Sequence, residues 1–106
     1  MADIDARPDT NDLKSQRLGR ISFRAWRRGF READLVLGPF ADQVGPSLSD
    51  DELDAFEVLL NEDDQFLYGW IIEREPTPAE HDHALMAKIR AFMRAHVAAE
   101  VAKGAG

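Results

Sequence analysis

The sequence predicts an all-α fold, a compact five-helix bundle in a single domain. Apolar residues recur at helical spacing in five separate segments. Two of those segments open on residues that cap helices. No stretch alternates apolar and polar residues as a half-buried strand does.

The first helix is expected over residues 12–28. Leu18, Ile21, Ala25 and Trp26 form its apolar side, while Arg17, Arg20, Arg24 and Arg27 share another face. Gly19 weakens this helix, since glycine costs about 1 kcal/mol in a helix interior. Gly29 ends it, because glycine accepts the left-handed backbone of a helix C-terminus. A second segment follows over residues 30–44, with Ala33, Leu37, Phe40, Ala41 and Val44 on one side. Pro39 is expected to break or kink it, because the ring crowds the carbonyl of Leu35 and supplies no N–H. Gly45-Pro46 ends the segment.

The third helix has the clearest opening. Ser49-Asp50-Asp51-Glu52 is a capping box, and Leu48 with Leu53 makes a hydrophobic staple around it. Leu53, Phe56 and Leu60 form its buried stripe. Asp63 or Asp64 caps a fourth helix that carries Leu67, Trp70 and Ile71 and ends near Glu73. Thr77-Pro78-Ala79-Glu80 is expected to open the fifth, with threonine at N-cap, proline at N1 and glutamate at N3. Leu85, Ile89, Phe92, Met93, His96 and Val97 carry that helix to about Ala102. Residues 1–11 read as a disordered tail and 103–106 as a frayed end.

Composition excludes several classes. The chain has 106 residues, 44% hydrophobic and 31% charged, which suits one soluble folded core. With no cysteine there is neither a disulfide nor a thiolate metal site. No apolar run approaches the ~18 residues of a membrane-spanning helix. The first residues lack the basic-then-apolar order of a signal peptide, so a cytoplasmic location is expected.

Charge is unevenly placed. From Lys14 to Arg31 there are seven Lys or Arg and no Asp or Glu, while the whole chain has a net charge of −7. The positive stretch runs into Arg27-Arg28-Gly29-Phe30-Arg31-Glu32. A glycine at such a bend lets another backbone approach closely, and arginine forks suit carboxylates, phosphates and protein interfaces. Local geometry offers a plainer role for the same residues. Glu32 lies where a carboxylate can meet the free N–H groups of a helix start.

Chemistry that would make an enzyme is missing from the pattern. His81 and His83 stand two apart and, on a helix, point away from each other, so they make a poor metal pair. His96 falls on the apolar stripe and reads as a packing residue. Neither a glycine-rich phosphate loop nor a nucleophile motif is present. The arginine stripe with Phe23, Trp26 and Phe30 leaves nucleic acid as a possible partner. The acidic remainder of the chain argues against it.

The order of these features resembles one family. Arg28-Gly29-Phe30-Arg31-Glu32 followed by Asp34, then Pro39-Phe40, Leu48-Ser49-Asp50-Asp51-Glu52, Phe56 with Leu59-Leu60, Asp63-Asp64, and Leu67 with Trp70 form an ordered set. That set is similar to the FAD assembly factors of succinate dehydrogenase, the R-G-x-x-E proteins. Ala33 and Phe66 depart from the commoner residues of the pattern. The resemblance implies a five-helix bundle and a non-enzymatic flavinylation chaperone, expected as a monomer. Its partner would be the flavoprotein subunit of succinate dehydrogenase and, in some bacteria, of fumarate reductase. FAD would be the client's cofactor, and no cofactor is assigned to this chain itself. The docking residues it implies are Arg28, Gly29 and Glu32, and the charge pattern adds Arg24, Arg27 and Arg31. The alternative is a regulatory or antitoxin-type protein whose arginine-rich first helix engages nucleic acid or an acidic partner.

Overall fold

Helical periodicity becomes five helices in a computed structural model that describes the backbone of residues 10–105 and the side chains of residues 12–96. They are α1 (Thr10–Trp26), α2 (Arg31–Gln43), α3 (Asp50–Leu59), α4 (Asp64–Ile71) and α5 (Ala84–Ala105). Short 3₁₀ turns at Gly45–Ser47 and Ala79–His81 join them, and the described residues contain no strand. The tail expected over residues 1–11 lies mostly outside the described residues. The helical backbone runs to Ala105, past the expected Ala102.

Each helix contributes its apolar stripe to one core. Ile21 and Ala25 come from α1, Leu37 and Phe40 from α2, Leu53 and Phe56 from α3, Leu67 and Ile71 from α4, and Leu85 and Ile89 from α5. Phe40 meets Phe56 and Phe92 edge to face, each with ring centroids 5.6 Å apart. Such pairs are worth about 0.5–1.5 kcal/mol beyond the area they bury.

The first two helices form an antiparallel hairpin closed by Trp26. Its indole lies over Gly38, where an added Cβ would stand 2.3 Å from the ring. The indole N–H donates to Asp42 Oδ2 at 2.9 Å, and Ser22 Oγ reaches Asp42 Oδ1. Lower down, Gly45 admits Leu18 in the same way, with 2.9 Å from a built Cβ to the leucine methyl.

The third and fourth helices open as the sequence predicts. Glu52 N–H donates to Ser49 Oγ and Ser49 N–H to Glu52 Oε1, which completes the capping box. Leu48 and Leu53 are buried beside it. Asp63 caps α4 by accepting from Gln65 N–H at 2.9 Å.

Two expectations need correction. Of the break or kink expected at Pro39, the break does not occur, since α2 continues as one helix through it. The carbonyl that loses its donor belongs to Leu35, a residue 48% exposed, so water is available to it. The fifth helix does not start at Thr77. The chain makes a 3₁₀ turn instead, and His83 caps α5 by accepting Met86 N–H on Nδ1 at 3.2 Å. Thr77 is taken by Arg90, which donates to its hydroxyl and to the Trp70 carbonyl. Pro78 thus ends a loop rather than opening a helix.

Two predictions follow from this packing. Alanine for an interior helical glycine ordinarily stabilises by about 1 kcal/mol. Gly38→Ala should instead destabilise by about 1–3 kcal/mol in urea titrations, because the indole must leave its seat and its bond to Asp42. Lys88, with help from the Ser49 N–H, holds the Glu52 carboxyl below its ordinary value of 4.5. Its folded value is the lower one, so its contribution is complete above pH 4.5 and is lost as pH falls through the folded value. The stability advantage of wild type over Glu52→Gln should therefore shrink on acidification below 4.5 in urea unfolding at matched ionic strength.

Candidate partner-docking site

Between α1 and α2 the chain turns within four residues, Arg27 to Phe30. Helix α1 stops at Trp26, two residues before the expected Arg28, and the next N–H groups are redirected. Arg27 N–H reaches the Arg24 carbonyl, and Arg28 N–H donates to Asp34 Oδ1 at 3.1 Å. Gly29 then takes φ +85°, while a Cβ built on it would meet nothing within 4 Å. The need for glycine here is therefore conformational. A side chain in the left-handed region costs about 1–2 kcal/mol, and more if it is β-branched.

Arg28 holds the bend from inside. Its side chain is 7% exposed, and all three guanidinium nitrogens donate. Nε reaches Asp64 Oδ1 at 2.5 Å, Nη1 the Leu60 carbonyl at 2.7 Å and Nη2 the Glu62 carbonyl at 2.5 Å. Carbonyls at a helix C-terminus have no partner within the helix and lie at its negative end. A planar cation satisfies several of them together. Arg28 thus ties the bend to the end of α3 and the start of α4.

The remaining candidates divide by direction. Arg24 faces the α3–α4 link and donates to Asn61 Oδ1 at 2.6 Å. Arg27 is exposed, with its guanidinium 4.2 Å above the centre of the Phe23 ring. Arg31 and Glu32 are exposed, and neither side chain has a hydrogen bond or ion pair among the described residues. Glu32 does not cap α2. Phe30 occupies the N-cap position without a side-chain bond, and Asp34 closes the turn instead. Phe30 is held by Tyr68, with ring centroids 5.5 Å apart.

A shallow cleft of about 420 Å³ lies beside the bend. Phe23, Arg24, Arg27 and Arg28 form one wall; Leu60, Glu62, Asp63 and Asp64 form the other. The arginine face of α1 is likewise divided. Arg17 turns onto α3, where it pairs with Asp54 and with Glu57 at 3.0 Å. Those carboxylates, Glu57 first, raise its pKa further.

The histidines have ordinary structural roles. His96 is half-buried and stacks on Phe92 at 5.7 Å, as a packing residue would. His81 and His83 do not share a helix as expected, since the chain turns between α4 and α5. His81 is buried against Trp70 and its Nε2 lies 2.6 Å from Glu62 Oε2. Among the described residues, Glu62, Glu80 and His81 form the group that could hold a cation, with ligand atoms within 4.8 Å of one another. The Glu62–His81 hydrogen bond already accounts for that grouping.

Sequence reasoning missed Asp34, Asn61 and Glu62 as partners of the bend. Asp63-Asp64 was legible only as a cap pair. In the structure Asp63 caps while Asp64 pairs with Arg28.

A family model described as the flavinator of succinate dehydrogenase matches residues 19–93. The chain belongs to that family. The flavinator match runs from the middle of α1 into α5 and includes the whole bend with its inner ties. One relative is a mitochondrial succinate dehydrogenase assembly factor 2 of Mycosarcoma maydis, 34% identical over 70% of this chain and 31% of that protein. Two FAD assembly factors are also similar. That of Haemophilus ducreyi is 36% identical over 65% of this chain and 84% of its own length. That of Pseudomonas putida is 40% identical over 58% of this chain and 73% of its own. The chain spans about a third of the fungal relative but most of the two bacterial ones.

The two arginines of the bend should separate in a stability measurement. Arg28→Ala removes a buried cation from three acceptors and should cost about 2–4 kcal/mol in urea unfolding. Arg31→Ala removes an exposed side chain and should stay within about 0.5 kcal/mol of wild type.

Proposed function

We propose that this chain is an assembly factor that docks on the flavoprotein subunit of succinate dehydrogenase and promotes covalent attachment of FAD to it. The reading rests on the form of the bend in a chain of the flavinator family. Arg28 is spent inside, so the turn at Gly29 is held in one shape. Arg27, Arg31 and Glu32 are left outside it, around a glycine that has no side chain to keep a partner away. Arg24 lines the adjoining cleft.

The function asks for no catalytic group on this chain. A flavoprotein histidine that attacks the flavin needs histidine, flavin and polarising groups aligned. A factor that binds the aligned conformation better than others shifts the client toward it. Positioning of this kind can lower a barrier by several kcal/mol. FAD remains the client's cofactor, and the factor acts as a cytoplasmic monomer. The flavoprotein of fumarate reductase is the natural second client. A nucleic-acid role draws less support, because Arg17 is already neutralised by α3 and Arg24 is turned toward Asn61.

Co-expression with the cognate succinate dehydrogenase flavoprotein, followed by in-gel flavin fluorescence after denaturation, tests the proposal. Wild type should give covalent fluorescence, and Gly29→Val should abolish it while far-ultraviolet circular dichroism stays helical. Glu32→Ala should lose fluorescence with stability within about 0.5 kcal/mol of wild type, since its carboxylate has no internal partner to lose. Equal fluorescence with and without the chain contradicts the assembly role. Full activity of Gly29→Val contradicts the placement of the site.

A further inference from the structure

Residues Gln16, Gly19, Arg20 and Phe23 stand at i, i+3, i+4 and i+7, so they share one face of α1, and Arg27 follows just past its end with its guanidinium over the Phe23 ring. This face turns away from the core. Gly19 and Arg20 are exposed, and Phe23 is 59% exposed although it is one of the larger apolar side chains. A second cleft, of about 590 Å³ and with largely apolar walls, opens along it over Gly19. Phe23 and Arg24 line both this cleft and the one beside the bend, so the two hollows adjoin at these side chains.

Gly19 has no internal explanation. It sits within α1 at a position where a Cβ would meet nothing within 4 Å, and no positive φ demands it. It therefore lowers helix stability without packing or turn geometry in return. Gly38 and Gly45 of the same hairpin each admit a side chain of their own chain; Gly19 admits none. What its missing side chain does provide is room on the outer face.

The chemistry of that face is that of a binding hot spot. An exposed phenylalanine carries an arginine on its ring, and Arg20 has no ion pair among the described residues. Aromatic and arginine side chains dominate binding energy at protein interfaces. The sequence from Lys14 to Arg31 holds no acid, and while Arg17 and Arg28 pair with carboxylates of α3 and α4, Arg20 and Arg27 keep their charge on the outer face.

We propose that this face is a second docking surface, adjoining the Gly29 bend, for an acidic segment of the same flavoprotein. The segment places an apolar side chain over Gly19 beside Phe23 and carboxylates against Arg20 and Arg27. This inference rests on the assembly-factor reading and extends its site along α1.

The test is binding of the full chain to the purified cognate flavoprotein subunit by biolayer interferometry at low and high salt, with a melting curve for each variant. Gly19→Ala should raise the melting temperature and yet weaken binding several-fold. Phe23→Ala should leave the melting temperature near wild type and weaken binding about tenfold. Arg20→Glu should weaken binding and flatten its salt dependence. Failure of wild type to bind overturns the assembly-factor reading itself. Wild-type binding that Gly19→Ala and Phe23→Ala both retain overturns only this surface. Self-association that Phe23→Ala abolishes, with flavoprotein binding unchanged, overturns it in favour of a second copy as occupant.

Discussion

The Arg28 guanidinium is where the local structure and the proposed function meet. Its side chain is largely buried, and its cost of desolvation is offset because every nitrogen finds an oxygen. One of those oxygens is the Leu60 carbonyl at the C-cap of α3, and another is the Glu62 carbonyl in the link to α4. The third is a carboxylate at the start of α4. One side chain therefore fixes the angle at which the α1–α2 hairpin meets the α3–α4 link. Without it the bend would rest on its local backbone bonds, the Asp34 bond, the Arg24–Asn61 bond and the Phe30–Tyr68 contact.

This division of labour explains how one short basic segment can be both structural and available. Arg17, Arg24 and Arg28 turn toward acidic or carbonyl partners on the α3 side of the molecule. Arg20, Arg27 and Arg31 remain exposed. The inward set sets the geometry, and the outward set supplies a positive field on an acidic protein. The docking role proposed above asks for a fixed shape more than for chemistry, because a factor that acts by preferring one conformation needs no reactive group.

Helices α1 to α4 were legible from periodicity and caps, since those signals are local. The capping box at Ser49 and the staple of Leu48 with Leu53 specify a helix start with little help from the rest of the chain. The start of α5 was not legible. Thr77, Pro78 and Glu80 satisfy the same local rule, but Arg90 claims the Thr77 hydroxyl from two turns along the helix, and His83 takes over the cap. A pattern confined to neighbouring residues cannot register that competition. Pro39 misled for a similar reason, because the cost of its missing N–H depends on whether the orphaned carbonyl can reach water. At the bend, charge and glycine marked the turn between α1 and α2. The inward turn of Arg28 was hidden because its acceptors lie more than thirty residues away, and two of them are backbone oxygens that no sequence pattern displays.

Hydrogen–deuterium exchange of the chain, free and bound to its cognate flavoprotein subunit, would test the central claim most directly. The first N–H groups of α2, from Arg31 to Ala33, have no acceptor one turn back and should exchange quickly in the free protein. If the bend is the docking surface, residues 27–34 should become protected on binding while α5 is unchanged. A complex that forms with the bend still exchanging at its free rate would contradict the claim and move the interface elsewhere on the molecule.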